Sequence, residues 1–118
     1  MPVVVYGIPN CDTVRTARAW LDARGIDYIF HDYKRSAITS GKLQSWCEAV
    51  GWEVVINRAG TTFRKLPDRI RAGLDRTKAI SLMCEQPSMI KRPIVEHPGG
   101  VLVGFSTEQW ERVLASPR

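Results

Sequence analysis

The spacing of apolar residues predicts a strand, a helix and a second strand at the start of the chain. Residues 3–6 are a short run, Val-Val-Val-Tyr, that is apolar on both faces and typical of a central strand in a covered sheet. Residues 12–24 have a helical period, with apolar side chains at positions 14, 17 and 21, and Gly25 is suited to end the helix. Residues 28–32 form the next strand, which should run parallel to the first because a helix connects the two.

A second helix is predicted after a polar connection. Thr39 or Ser40 can cap its beginning, and Gly51 can end it. Its apolar face is formed by residues at helical spacing, namely Leu43, Trp46, Cys47 and Val50. Cys47 lies in the middle of this face, so we expect it to be buried.

The segment that follows is predicted to be a loop and then two short helices. Residues 57–66 are polar, basic and without a regular period, which indicates an irregular loop. The helices are expected over residues 68–74 and 77–85. Cys84 follows Ile80 and Met83 at helical spacing, so we expect it to be buried as well.

An antiparallel hairpin and a last helix complete the predicted elements. Residues 94–96 and 101–103 are apolar runs on either side of His-Pro-Gly-Gly, which is a hairpin signal. Ser106 and Gln109 have the spacing of a capping box for a helix that carries Trp110, Val113 and Leu114.

The order of elements is therefore βαβ, a helical block, and ββα. With a cysteine after the first strand and a proline before the third, this order matches the thioredoxin arrangement. We predict an α/β, thioredoxin-like fold with a four-stranded mixed sheet, covered on both faces, and a helical insertion between the βαβ and ββα halves.

Size and composition are those of an ordinary soluble protein. The 118 residues, 44% hydrophobic and 25% charged, are enough for one compact domain, so we predict a single domain over residues 1–118. We see no segment like a signal peptide and no apolar stretch near the ~20 residues needed to cross a bilayer. We therefore expect a cytoplasmic protein without a membrane partner.

Charge and cysteine usage argue against nucleic-acid binding, a disulfide framework and a zinc site. The net charge of +5 favours anionic partners, although a solvated basic surface explains it equally well. The basic residues are dispersed and no nucleic-acid motif accompanies them, so nucleic-acid binding is not favoured. The cysteines at 11, 47 and 84 and the histidines at 31 and 97 lack the spacing of a disulfide framework or a zinc site. We predict no bound metal or cofactor.

Cys11 is the first candidate for chemistry, because it lies between a strand and the beginning of a helix. Unpaired N–H groups of the first helical turn stabilise a thiolate, which is the reactive form of cysteine. Asn10 is a candidate N-cap, and the Thr13 hydroxyl could donate to the sulfur, whereas the charge of Asp12 would raise the thiol pKa. The alternative is a buried structural cysteine.

The residues after Cys11 exclude two cysteine chemistries. A redox CxxC motif needs a second cysteine at Val14, and a phosphatase loop of the C-x5-R type needs an arginine at Ala17. The sequence leaves open whether Cys47 or Cys84 could resolve a disulfide with Cys11.

The second candidate is the pair Arg92-Pro93. A proline where a strand begins removes a ladder donor, and the bond before it is a candidate for the cis form. Arg92 beside it could bind an oxyanion or a carboxylate through two hydrogen bonds. The alternative is a basic pair on the surface, formed by Lys91 and Arg92, before a strand.

Four segments in this order resemble the ArsC/Spx family of arsenate reductase-like proteins, and its YffB branch most closely. They are Tyr-Gly-Ile-Pro-Asn-Cys-Asp-Thr-Val (6–14), Arg-Ala-Gly-Thr-Thr-Phe-Arg-Lys-Leu (58–66), Lys-Arg-Pro-Ile (91–94) and Val-Gly-Phe-Ser (103–106). The resemblance implies a thioredoxin fold with a helical insertion and a catalytic cysteine at Cys11. It also implies glutathione as co-substrate, glutathione or a glutaredoxin as partner, and a small oxyanion or disulfide as substrate.

The chain departs from the arsenate reductases of this family at their three oxyanion-binding arginines. Arg92 matches the arginine before the proline. The second falls at Asn57 or Arg58, depending on a one-residue shift, and the third falls near Gly104, which has no side chain. Because such cations supply much of oxyanion catalysis, we expect weak arsenate reduction.

Two functions follow from the resemblance. The first is a glutathione-dependent monothiol reductase with Cys11 as nucleophile and Asn10, Thr13, Arg58, Lys91, Arg92 and Pro93 binding the substrate. The alternative is a transcriptional regulator of the Spx type, which binds RNA polymerase without catalytic turnover. Spx regulators usually carry CxxC, and Val14 stands in place of the second cysteine.

Overall fold

A computed structural model describes residues 3–33 and 35–115. Its described part divides into two compact units, with the boundaries after Ser36 and before Arg92. The first unit contains the sheet and the helices at either end of the chain, and the second contains the helical segment between them. No helix in the described residues is both long and apolar enough to cross a membrane.

The first unit is built on a four-stranded mixed sheet in the order β2-β1-β3-β4. Its strands are β1 (Val3–Gly7), β2 (Tyr28–Asp32), β3 (Ile94–His97) and β4 (Gly100–Val103). β1 is parallel to β2 and antiparallel to β3, and β3 is antiparallel to β4. These directions confirm the predicted βαβ and ββα halves. Since β1 and β2 are parallel, their C-terminal ends meet at the same edge of the sheet.

Helix α1 (Asp12–Ala23) connects β1 to β2 and covers one face of the sheet. Its apolar face is buried as predicted, with Val14, Ala17 and Leu21 at 0% exposure. The helix ends in a left-handed glycine, Gly25, with a φ of 66°. The backbone N–H groups of Gly25 and Ile26 donate to the carbonyls of Asp22 and Leu21, respectively. These hydrogen bonds supply partners for carbonyl groups of the last helical turn.

The core beside α1 is aromatic. Trp20 and Trp110 meet edge to face with ring centroids 5.8 Å apart, and Phe105 lies 4.8 Å from Trp110 in the same geometry. Trp110 ends the short helix α7 (Thr107–Trp110), which continues into one π-helical turn, Glu111–Ala115. As predicted, Ser106 caps α7, and its hydroxyl accepts from the backbone N–H of Gln109 at 3.3 Å.

The second unit contains five helices in the described residues. They are α2 (Ser40–Val50), α3 (Trp52–Val55), α4 (Thr61–Arg64), α5 (Asp68–Ala72) and α6 (Arg76–Glu85), followed by a 3-10 turn at Pro87–Met89. Thr39 caps α2 by accepting from the backbone N–H of Lys42, and Gly51 ends it with a φ of 94°, as predicted. Helices α2 and α6 pack against each other.

Two predictions in this unit are wrong. Residues 57–66 are not an irregular loop throughout, because α4 lies within them and buries Phe63 to 7% exposure. Cys84 is exposed and not part of the core. On α6 the buried residues are Ala79, Ile80 and Met83. Cys84 is the next residue after Met83, about 100° further around the helix, and so it leaves the buried face.

Candidate functional site

The turn after β1 places Cys11 directly before α1, at the N-cap position. Cys11 has extended backbone angles and is itself the N-cap, since its carbonyl accepts the first helical hydrogen bond from the N–H of Arg15 at 2.9 Å. Asn10, the predicted N-cap, lies one residue too early and is exposed. The prediction was wrong because the turn is one residue longer than assumed, and the N–H of Cys11 donates back to the carbonyl of Ile8 at 3.4 Å.

Gly7 lets the helix approach the strand closely at this point. A Cβ atom at Gly7 would lie 2.8 Å from Cγ2 of Val14, which is closer than carbon atoms pack. Only glycine therefore fits at the last position of β1, against the first turn of α1. This close approach fixes where the first turn, and with it Cys11, lies relative to the sheet.

The surroundings of Cys11 favour its thiolate. Partial burial is the largest single influence and raises the thiol pKa. It is outweighed by the backbone N–H of Val14, a side-chain hydrogen bond from Arg92, the backbone N–H of Thr13 and the positive charge of Arg92, so the net effect lowers the pKa of Cys11. The sulfur makes no regular N-cap hydrogen bond, and these N–H groups act as nearby donors.

Two polar neighbours act differently from the prediction. Thr13 lowers the thiol pKa through its backbone N–H, whereas the sequence pointed to its hydroxyl. Asp12 forms an exposed ion pair with Arg15 along α1, so its charge is compensated at the surface. It does not appear among the groups that shift the Cys11 pKa.

Arg92 is half-buried and belongs to the first unit, next to the buried Pro93 that precedes β3. The peptide bond between them is cis. The carbonyl of Pro93 accepts from the backbone N–H of Gly104 at 2.8 Å. Gly104, near which the family resemblance predicts the third arginine, has a φ of 76°, a region that favours glycine, and it offers no cation.

A third side chain at this site, Tyr33, was not predicted from the sequence. It follows β2 directly, is 3% exposed, and shares a side-chain hydrogen bond with Arg92. A signal was present, because polar residues after two neighbouring parallel strands meet at one edge of the sheet. Cys11 follows β1 there, and Tyr33 follows β2.

Other predicted site residues lie in the second unit. Lys91 is exposed, and its backbone N–H donates to the carbonyl of Val55 at 2.8 Å. Arg58 is exposed, lies 6.0 Å from the ring centroid of Trp52, and lines a cleft of about 350 Å³ together with Phe63 and Arg71. Their predicted contact with a substrate stays a prediction.

The two remaining cysteines also lie in the second unit. Cys47 is 5% exposed on α2, as expected, and burial raises its thiol pKa. Cys84 is exposed on α6. Among residues 3–33 and 35–115, no three His, Cys, Asp or Glu side chains are grouped so that they could bind a metal ion.

Comparison with known proteins shows which family and which solved structures the chain is similar to. A model of the ArsC family matches residues 6–113. A solved YffB protein is 52% identical with a TM-score of 0.91, covering 95% of this chain and 98% of that one. An arsenate reductase (ArsC) related protein from Brucella melitensis is 50% identical with a TM-score of 0.79, covering 96% and 94%. These likenesses confirm the predicted thioredoxin-like fold.

The chain is also similar in sequence to a transcriptional regulator. Global transcriptional regulator Spx 2 from Bacillus cereus is 29% identical over 114 residues, which cover 95% of this chain and 86% of the regulator.

Proposed function

Because the chain belongs to the ArsC family, we propose that it is a monothiol reductase whose nucleophile is the Cys11 thiolate, and that an external thiol releases the intermediate and restores this thiolate. The observation that carries this proposal is the set of groups around the sulfur. Backbone N–H groups of α1 and the Arg92 guanidinium together lower the thiol pKa in spite of partial burial. A lowered pKa increases the fraction of Cys11 that is ionised, and the thiolate is the form that attacks an electrophilic sulfur.

The proposed reaction has two displacement steps. The Cys11 thiolate attacks the glutathione sulfur of a mixed disulfide, the old S–S bond breaks, and the released thiolate takes up a proton. A glutathione thiolate then attacks the glutathione sulfur now bound to Cys11, which releases glutathione disulfide and restores the Cys11 thiolate. The substrate is reduced by two electrons and two glutathionyl groups are joined, so the cycle balances with glutathione, free or delivered by a glutaredoxin, as reductant.

Arg92 has two tasks in this proposal. Its charge stabilises the attacking and departing Cys11 thiolate, and its guanidinium is the group that we propose for binding a carboxylate of glutathione. Lys91 and Arg58 are the further cations that we propose for glutathione's second carboxylate.

A mixed disulfide suits this site better than arsenate. The side chain whose charge lowers the Cys11 pKa is Arg92, and its positive charge is balanced by the thiolate itself. Arsenate carries about two negative charges at neutral pH and would need further cations, but Gly104 occupies the position of one of them. Electrostatic stabilisation of a developing oxyanion is usually a large part of catalysis, so we expect arsenate to be turned over slowly or not at all.

A variant with Cys11 as its one cysteine tests the external resolving thiol. We expect Cys47→Ala combined with Cys84→Ser to reduce a mixed glutathione disulfide as fast as the natural chain, with glutathione as reductant and arsenate assayed in parallel. Cys47 is replaced by alanine because it is buried, and Cys84 by serine because it is exposed. If this variant loses turnover but has the same unfolding temperature as the natural chain, an internal cysteine resolves the intermediate.

The likeness to an Spx regulator supports a second candidate function, binding to RNA polymerase without turnover. A CxxC switch is impossible, because the second cysteine position is Val14, which is buried against Gly7. Affinity capture from cell extract distinguishes the two candidates. Polymerase subunits captured equally by the natural chain and by Cys11→Ser would favour the regulator, whereas their absence from both captures favours the reductase.

A further inference from the structure

Arg92 has a buried partner that the proposed reaction has not used. We propose that Tyr33 is a positioning residue for the chemistry at Cys11, and that its hydroxyl oxygen orients the Arg92 guanidinium toward the sulfur. The inference rests on the proposed function, because it concerns the same thiolate. Tyr33 touches neither the reacting sulfur of a substrate nor a leaving group in this scheme, and it acts through Arg92.

The backbone fixes Tyr33 next to the first turn of α1. Its N–H donates to the carbonyl of Gly7 at 3.1 Å, directly beyond the last pair of β1 and β2, Gly7 and Asp32. The Cα of the same Gly7 faces Val14, whose N–H points toward the Cys11 sulfur. One residue of β1 therefore holds both Tyr33 and the helical turn of Cys11 in place, and Tyr33 is 3% exposed.

Hydrogen-bond chemistry sets the direction of the contacts. A guanidinium has five N–H donors in a planar fork and no acceptor, so the hydroxyl oxygen of Tyr33 accepts from Arg92. The same guanidinium donates to the sulfur of Cys11. Two acceptors on one planar group restrict the rotation of a long and otherwise flexible side chain, which keeps its donors aimed at the sulfur before a substrate arrives.

A tyrosine is well suited to this task because it stays neutral. Burial raises the pKa of Tyr33 to about 12, although the charge of Arg92 and its hydrogen bond act in the opposite direction. An aspartate or glutamate at this place would orient Arg92 equally well, but its negative charge would cancel the positive charge that favours the thiolate. A neutral acceptor orients the cation and leaves that charge available to Cys11.

The test compares two tyrosines that both accept from an arginine. Tyr33→Phe removes the oxygen that binds Arg92. Tyr28→Phe is the matched control, because the Tyr28 hydroxyl accepts from Nε of Arg18 at 3.0 Å in the same unit. Both changes are made in the Cys47→Ala/Cys84→Ser chain, so that Cys11 is the one thiol that an alkylating reagent can modify. Thermal unfolding of each variant shows that it is folded.

We expect Tyr33→Phe to move the pH profile of Cys11 alkylation to higher pH. At neutral pH its rate should fall roughly two- to tenfold, the range expected from the net contribution of one typical intramolecular hydrogen bond. The rate at alkaline pH, where every thiol is ionised, should change little. Tyr28→Phe should leave the whole profile unchanged. In an Arg92→Lys background, Tyr33→Phe should have little further effect, because the fork that it orients is already absent.

The outcomes separate this inference from the proposed function. A shifted profile for Tyr33→Phe alone supports the positioning role. If Tyr33→Phe has the same profile as the Cys47→Ala/Cys84→Ser parent chain, and the Cys11 pKa of that parent is lowered, the positioning role is overturned and the reductase proposal stays intact. Equal shifts for Tyr33→Phe and Tyr28→Phe, or an undiminished shift in the Arg92→Lys background, also overturn it, since the effect would then not pass through Arg92. A parent pKa that is not lowered contradicts the reductase proposal itself.

Discussion

Replacing Cys11 by serine should reduce turnover of a mixed glutathione disulfide by a thousandfold or more, on the order of the loss seen when a covalent nucleophile is removed. A serine hydroxyl stays protonated at neutral pH even beside Arg92 and the N–H groups of α1. It also cannot form the mixed disulfide that the second step requires. The rate of glutathione disulfide production, followed at saturating glutathione, measures the effect.

Cys84→Ser is the matched control for this change. It makes the same sulfur-to-oxygen replacement at an exposed cysteine of the second unit, and we expect it to retain the natural rate. Equal turnover by Cys11→Ser and the natural chain would contradict the proposed mechanism. Comparable unfolding temperatures of the two variants would show that the loss is chemical, because Cys11 is partly exposed and contributes little to the core.

Replacing Arg92 by alanine should lower kcat/KM at neutral pH by roughly ten- to a hundredfold, because a hydrogen bond to a charged group contributes about 1.5–3 kcal/mol. Arg92 lowers the Cys11 pKa through a hydrogen bond and through its charge. Activity that depends on a thiolate rises with pH through the thiol pKa. Removing Arg92 raises that pKa, so the rising limb of the pH profile should move to higher pH.

Two further variants show which property of Arg92 matters. Arg92→Lys retains the charge without the planar fork, so it should recover part of the lost activity. Arg24→Ala is the control for loss of a positive charge, since Arg24 is the C-cap of α1, about 20 Å along the helix from Cys11, and pairs with Glu111 at 2.8 Å. An Arg92→Ala profile that coincides with the Arg24→Ala profile would contradict the role of Arg92 in activating the thiol.

The sheet and the long helices could be predicted because their patterns repeat. The apolar runs of the four strands have few alternatives, and α1 and α2 are long enough for three turns of apolar spacing. Helices α3 and α4 contain four residues each, which is one turn, and one turn has no period to detect. Phe63 was the available signal for α4, as an aromatic residue in an otherwise polar segment.

Site residues could be predicted where their position relative to a strand or helix determines their chemical environment. Cys11 and Arg92 were identified because a strand-to-helix turn and a proline before a strand have known consequences for the backbone. Asn10 was misplaced as the N-cap because the length of a turn is set by tertiary packing, in this case by Gly7 against Val14. Tyr33 was missed because its importance depends on the partner of Arg92, and a pairing between residues 59 positions apart has no local pattern.

The pKa of the Cys11 thiol tests the central claim most directly. In the Cys47→Ala/Cys84→Ser chain, the rate of alkylation is measured across a wide pH range, and its midpoint gives the pKa of Cys11 alone. We predict a midpoint below the ~8.5 of a free cysteine, because the donors of α1 and Arg92 outweigh partial burial. A midpoint at or above the value of a free cysteine would contradict the claim that this site is built to activate Cys11.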